Sequence, residues 1–178
     1  MTLQNLVALL QEHRLSSQSD WESTDKTIAW IENHEDFAFT KANTNGHITA
    51  SLLITNEEKT HVLLMFHKKL QIWIQFGGHT DGETDVYAAA IREFHEESGI
   101  QYEPHVPKKI FRVDVHSIPV HKETSEHLHH DIMFLWTIPF DTPFQRQEDE
   151  VDDIRWFPIE GIEDYIDSHM AGVVRLIR

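Results

Sequence analysis

A chain of 178 residues with 40% apolar side chains is long enough to bury the core of one globular domain, and a single domain over 1–178 is expected. Thirty acidic residues against fifteen basic ones give a formal charge of −15, a surface that repels phosphate backbones and argues against a nucleic-acid polymer as partner. The absence of cysteine excludes disulfides, thiolate metal sites and thiol nucleophiles, and fits a reducing compartment, so the cytoplasm is the expected location.

The opening residues Met1-Thr2-Leu3-Gln4-Asn5 lack the basic and apolar regions of a secretory signal, and no apolar run reaches the roughly 18 residues of a membrane span. Neither export nor a membrane partner is expected. Leu3, Leu6, Val7, Leu9 and Leu10 recur at helical spacing, and Ser16-Ser17-Gln18-Ser19 breaks the pattern. Ser19 or Asp20 can cap a second helix carrying Trp21, Ile28, Trp30 and Ile31, which runs out near Asn33-His34. Residues 1–35 thus read as a helical extension packed on the rest, and the sequence leaves open a homodimer contact through it.

The β-prone segments His47–Ile54 and His61–Phe66 flank the turn Asn56-Glu57-Glu58-Lys59 and predict a hairpin. Ile72–Phe76 predicts a short strand that ends at Gly77-Gly78, ahead of a polar loop and a long helix from about Asp85 to Ser98, stopped by Gly99. Strands follow around Lys109–Ser117, His130–Ile138 and Asp153–Phe157, then a helix from about Ile162. Helices on a mixed sheet, an α/β class, are the expected result. Asp141–Asp152 is the longest irregular stretch and reads as a functional loop.

On the long helix, Glu93, Glu96 and Glu97 fall three and four residues apart and share a face. Three like charges side by side cost stability unless a cation neutralises them, and hard carboxylate oxygens suit Mg²⁺ or Mn²⁺. Spacing alone weighs equally for a solvated acidic face. Tyr87, Ile91 and Phe94 form the adjacent apolar stripe that fixes the helix, and Ala88, Ala89 and Ala90 let it approach neighbouring backbone closely.

The order Gly77-Gly78, polar loop, helix and Arg92-Glu93-Phe94-x-Glu96-Glu97-x-Gly99-Ile100 resembles the Nudix box. The resemblance implies an α/β/α sandwich with a mixed sheet over roughly residues 45–178. It also implies a hydrolase that uses divalent metal to cleave nucleoside diphosphates linked to another moiety, so the expected partner is a small-molecule diphosphate. By the same resemblance Glu93, Glu96 and Glu97 are metal ligands, Arg92 orients them, and the Gly78 carbonyl adds a ligand. Members of the family also often supply a glutamate from a later loop as ligand or base, for which Glu148 and Glu150 are the candidates. The box departs from the family consensus where Thr84 stands in place of a glutamate, with Glu83 one residue early.

Rival readings are a Nudix-like domain that binds a nucleotide or a partner without catalysis, an isopentenyl-diphosphate isomerase, and a zinc protein built on His127–His130. The isomerase type relies on a cysteine that this chain lacks. In an extended segment His127, His129 and Asp131 point the same way and can bind metal or phosphate, although the sequence supplies no evident fourth ligand. His47, His67 and His79 lie near the ends of segments leading to the box and either face the substrate phosphates or serve as hydrogen-bonded structural residues, and Trp73, Phe76, Phe111 and Phe144 are either ring-stacking or core residues.

Overall fold

The computed structural model describes residues 1–102, 108–120 and 125–177. These form four α-helices, α1 (Leu3–Ser16), α2 (Trp21–His34), α3 (Val86–Ser98) and α4 (Ser168–Val174), and seven strands. The strands are β1 (Gly46–Thr55), β2 (His61–His67), β3 (Ile72–Ile74), β4 (Phe76–His79), β5 (Ile110–Ile118), β6 (His127–Thr137) and β7 (Val151–Pro158). Hydrogen bonding orders them β3-β2-β1-β6-β5, with β4 joined to β1 and β7 to β2. β2 is antiparallel to β1, β3 and β7, and β5 is antiparallel to β6. Leu128 N donates to Asn45 O and Ile138 N to Thr55 O, so β6 and β1 advance in the same sense and the sheet is mixed.

Contacts divide the chain into two compact units. The first comprises Met1–Ser51, Gly77–Ile91 and Lys108–Phe134. In it α1 and α2 pack on β5, with Leu6, Leu10 and Ile31 almost fully buried. The buried face of α2 is partly polar: Thr24 and Thr27 are buried, whereas Trp21 is exposed. Thr27 bonds His130 Nδ1 at 3.1 Å, and Trp30 stacks on His130 with ring centroids 4.9 Å apart.

Asp20 stands at the N-cap position of α2 but makes no cap bond with its side chain. Its carboxylate instead joins elements: it meets His13 Nε2 at 2.8 Å, accepts from Val113 N at 2.7 Å, and accepts from Ser17 Oγ. Burial works against the charged carboxylate, but the bonds from His13, Ser17 and Val113 prevail and hold it down to about 2. A carboxylate with a depressed folded pKa stabilises above its unfolded value near ~3.9 and loses that contribution as pH falls through its folded value. Stability should therefore drop by about 2 kcal/mol between roughly pH 4 and pH 2 on this account. Chemical unfolding across that window checks it; Asp20→Asn should be less stable at pH 7 and show a flatter profile.

The second unit comprises Leu52–Phe76, Arg92–Pro107 and Leu135–Arg178. Here β2 is the central strand, with Met65 opposite both Ile74 of β3 and Ile154 of β7. Trp136, Phe76 and Phe94 are among its largest fully buried side chains. Asp167 caps α4 by accepting from His169 N and Met170 N. A 3₁₀ turn at Ile162–Asp164 precedes α4, so the closing helix starts later than the apolar pattern indicates.

The strand expected over Ile72–Phe76 is split into β3 and β4. Gly77 and Gly78 lie inside β4 rather than ending a strand at Phe76. Gly77 has φ +143°, and a Cβ there would sit 2.5 Å from the Ala50 carbonyl oxygen of β1. The glycine permits close pairing where a side chain forbids it.

Candidate active site

The second half of α3 carries Arg92, Glu93, Glu96 and Glu97. Phe94 seats this half by edge-to-face packing on Phe76 and Trp136, at 5.1 and 5.8 Å between centroids. Arg92 bridges two of the carboxylates: its guanidinium donates to Glu93 Oε1 at 2.6 Å and lies 3.7 Å from Glu96 Oε2. Glu96 is exposed, Glu93 is half-buried, and Glu97 is only 4% exposed. Arg92 thus pairs with two of the three carboxylates of this helical face.

The end of α3 is stitched to the following loop. Gln145 N donates to Ser98 O at 2.8 Å and Gln147 N to Glu97 O at 3.1 Å, so the loop satisfies carbonyls that the last helical turn leaves open. Gly99, at φ +68°, makes the approach possible, because a Cβ there would lie 2.6 Å from Gln145 O. The loop is also fixed to β2's end: Lys68 N donates to Glu150 O and Lys68 Nζ to Glu148 O, both at 2.9 Å. Glu150 is exposed, with its carboxylate 4.0 Å from Lys69 Nζ. Glu148 is exposed and lines a cavity of ≈ 420 Å³ with Phe144, Gln145, Arg146, Asp153 and Ile154. The second unit thus brings together Arg92, the three helix glutamates and the loop that carries Glu148 and Glu150. His67, in the same unit, has its Nδ1 3.2 Å from Lys69 N.

Gly78, Glu83, Thr84 and the remaining histidine candidates, with Asp131, lie in the first unit. Gly78 is in β4. Asp85, preceding α3, accepts from Ala88 N at 3.1 Å and lies 3.6 Å from Lys108 Nζ, while the exposed Glu83 has no such capping role and Thr84 Oγ1 donates to Met1 O. Tyr87 packs edge-to-face on Phe134 at 4.9 Å.

β6 begins at His127, three residues before the expected start, so strand alternation governs His127, His129 and Asp131 directly. Asp131, a candidate ligand by that alternation, is instead committed to hydroxyls: it accepts from Thr49 Oγ1 at 2.9 Å and Ser51 Oγ at 2.6 Å. Its burial pushes the carboxyl up from its ordinary value against those two bonds. The histidines gather instead. The His47 ring lies 5.0 Å from His79, 5.0 Å from His127 and 4.8 Å from His129. Burial lowers His129 to about 2 and His79 to about 4, with repulsion from neighbouring histidines, and from Lys41 at His79, adding to the effect; burial lowers His47 as well. Alternation along β6 already aligns His127 with His129; what the sequence does not reveal is the parallel placement of β1, which brings His47 to them.

A family model described as the NUDIX domain matches residues 46–177. The chain belongs to the NUDIX domain family. Its fold is similar to that of a MutT NUDIX hydrolase from Burkholderia pseudomallei, at 17% identity and TM-score 0.56, over 75% of this chain and 98% of that one. It is also similar to the MutT protein of Methanosarcina mazei Go1, at 19% identity and TM-score 0.57, over 75% and 93%. A NUDIX-family hydrolase from Clostridium perfringens aligns at 22% identity and TM-score 0.51, over 74% and 98%. Comparison with curated proteins returned no significant match. The family match begins at β1, so α1 and α2 precede the part held in common. Among the described residues no helix is long and apolar enough to cross a membrane.

Proposed function

We infer that this protein is a metal-dependent hydrolase that cleaves the diphosphate linkage of a small nucleoside diphosphate-X substrate by water attack on phosphorus. The observation that carries this reading is the carboxylate face of α3, where Arg92 braces Glu93 and Glu96 beside the buried Glu97. The donor set fits Mg²⁺ or Mn²⁺: the oxygens are hard, carboxylates outnumber the single arginine, and no cysteine competes for a softer ion. Glu93, Glu96 and Glu97 would hold the ion, with Glu148 and Glu150 as further ligands. A bound ion supplies charge neutralisation on the phosphate oxygens and a water of lowered pKa.

The chain's own residues supply the rest. Arg92 keeps its two carboxylates in one geometry, which spares the reorganisation that flexible glutamates would require. Gly99 and the Gln145 and Gln147 bonds hold the Glu148–Glu150 loop against the end of α3. Glu93 or Glu150 takes the proton of the attacking water, and the leaving phosphate departs as a monoester or longer phosphate.

The test is a hydrolysis panel of nucleotide sugars, dinucleoside polyphosphates, oxidised nucleoside triphosphates and ADP-ribose, each with Mg²⁺ and with Mn²⁺. Turnover of at least one compound that ceases on chelation is expected. Tight binding of a panel member with no product under either metal would instead favour a non-catalytic nucleotide-binding domain.

A further inference from the structure

We propose that His47, His127 and His129 form a binding site for a divalent zinc-type cation, built from imidazole nitrogen and chemically distinct from the α3 carboxylates. The inference goes beyond the hydrolase reading and does not depend on it. One nitrogen from each of these three side chains lies within 4.8 Å of the other two. The Nε2 atoms of His127 and His129 share a hydrogen bond at 3.3 Å, which a cation bound between them would replace. Two nitrogens bound to one tetrahedral zinc at about 2.0–2.1 Å are separated by roughly 3.3–3.4 Å, so this pair already has the spacing of a coordination edge. Bringing His47 to the same spacing needs a displacement on the order of 1.5 Å by the same arithmetic.

Two further observations point to a ligand. His127 Nδ1 lies 2.8 Å from Ser125 O, a carbonyl that only accepts, so Nδ1 carries the proton and Nε2 presents its lone pair toward His129. Donation of the second ring nitrogen to a backbone carbonyl is the arrangement that orients metal-bound histidines. His47 is 4% exposed, and neither of its ring nitrogens has a hydrogen-bond partner. A neutral imidazole has one donor and one acceptor, and leaving them buried and unmade is costly. Packing alone explains why the rings touch, but it leaves the His47 nitrogens unsatisfied. A cation at the centre of the three satisfies one of them.

Ligand chemistry selects the ion. Imidazole suits zinc, copper and nickel, whereas magnesium and calcium take oxygen. Zinc tolerates irregular geometry because it has no d-electron preference, and three protein ligands leave its fourth position open to water or another oxygen ligand. The His79 ring, 5.0 Å from His47 and 5.2 Å from His129, stands beside the set.

The experiment uses the full chain without a polyhistidine tag, stripped with chelator, dialysed and titrated with ZnCl₂ by calorimetry in excess MgCl₂. One equivalent of zinc should bind, and both His47→Ala and His129→Ala should weaken binding by about a hundredfold or more, whereas Glu96→Gln should leave it unchanged. X-ray absorption of the zinc-loaded wild type should show nitrogen at about 2.0 Å with the outer scattering of imidazole rings. Because that spectrum is taken on unaltered protein, it holds even if a histidine variant fails to fold. Absence of saturable zinc binding in magnesium, equal affinity in wild type and both histidine variants, or a shell of oxygen alone would each overturn the site. Zinc bound through imidazole in a chain that cleaves no diphosphate would leave this site standing and remove the hydrolase reading. Hydrolysis without zinc binding would do the reverse.

Discussion

Glu97→Gln should lower turnover of the best diphosphate substrate by about a hundredfold or more while leaving the fold intact, the scale expected when one charge-stabilising group is removed from a transition state. Glutamine keeps the shape of the buried Glu97 side chain and removes its charge, so packing in the last turns of α3 is preserved. The fall should appear in kcat and in kcat/KM together, because a group that helps hold the ion acts where phosphorus develops its extra charge rather than on the ground state. Glu96→Gln should show the same direction. Glu96 is exposed, so its variant carries little risk to stability, and it separates loss of chemistry from loss of fold. Steady-state kinetics beside a thermal melt decides the matter: unchanged kcat in a folded Glu97→Gln protein would remove this residue from the site.

Phe94→Ala should destabilise the protein by about 3–5 kcal/mol, in the range for truncating a fully buried aromatic. Phe94 is 0% exposed and packs edge-to-face on both Phe76 and Trp136, so alanine leaves a cavity lined by these two rings. Its neighbours in sequence are Glu93, His95, Glu96 and Glu97, and the same change should therefore reduce turnover in the fraction that remains folded. Phe94→Leu fills much of the volume and should cost distinctly less. Denaturant unfolding of both variants gives the comparison; equal stability of Phe94→Ala and wild type would mean that this ring does not anchor α3.

What the sequence made legible was largely local. The helical period of Tyr87, Ile91 and Phe94 with the stop at Gly99 located α3 to within a residue, and the same period put Glu93, Glu96 and Glu97 on one face. The hairpin of β1 and β2 was readable from its β-prone runs and polar turn. Features that depend on distant partners were not. Gly77 read as a strand end because glycine breaks local propensity, yet it extends β4 because β1 passes too close for a side chain. Asp20 read as a helix cap, yet Val113, 93 residues away, supplies one of the bonds that lower its pKa. His47 was a lone histidine in the sequence, and only pairing between β1 and β6 sets it beside His127 and His129. Asp131 shared their alternation, but Thr49 and Ser51 of β1 occupy its carboxylate.

The most direct test of the hydrolase account is cleavage of the best panel substrate in H₂¹⁸O, with Mn²⁺ or Mg²⁺ and after chelation, followed by mass spectrometry of the products. One ¹⁸O on phosphorus in one of the two phosphate products is expected, with loss of turnover on chelation that added metal restores. Label found on carbon, or turnover that survives removal of every divalent ion, would contradict it.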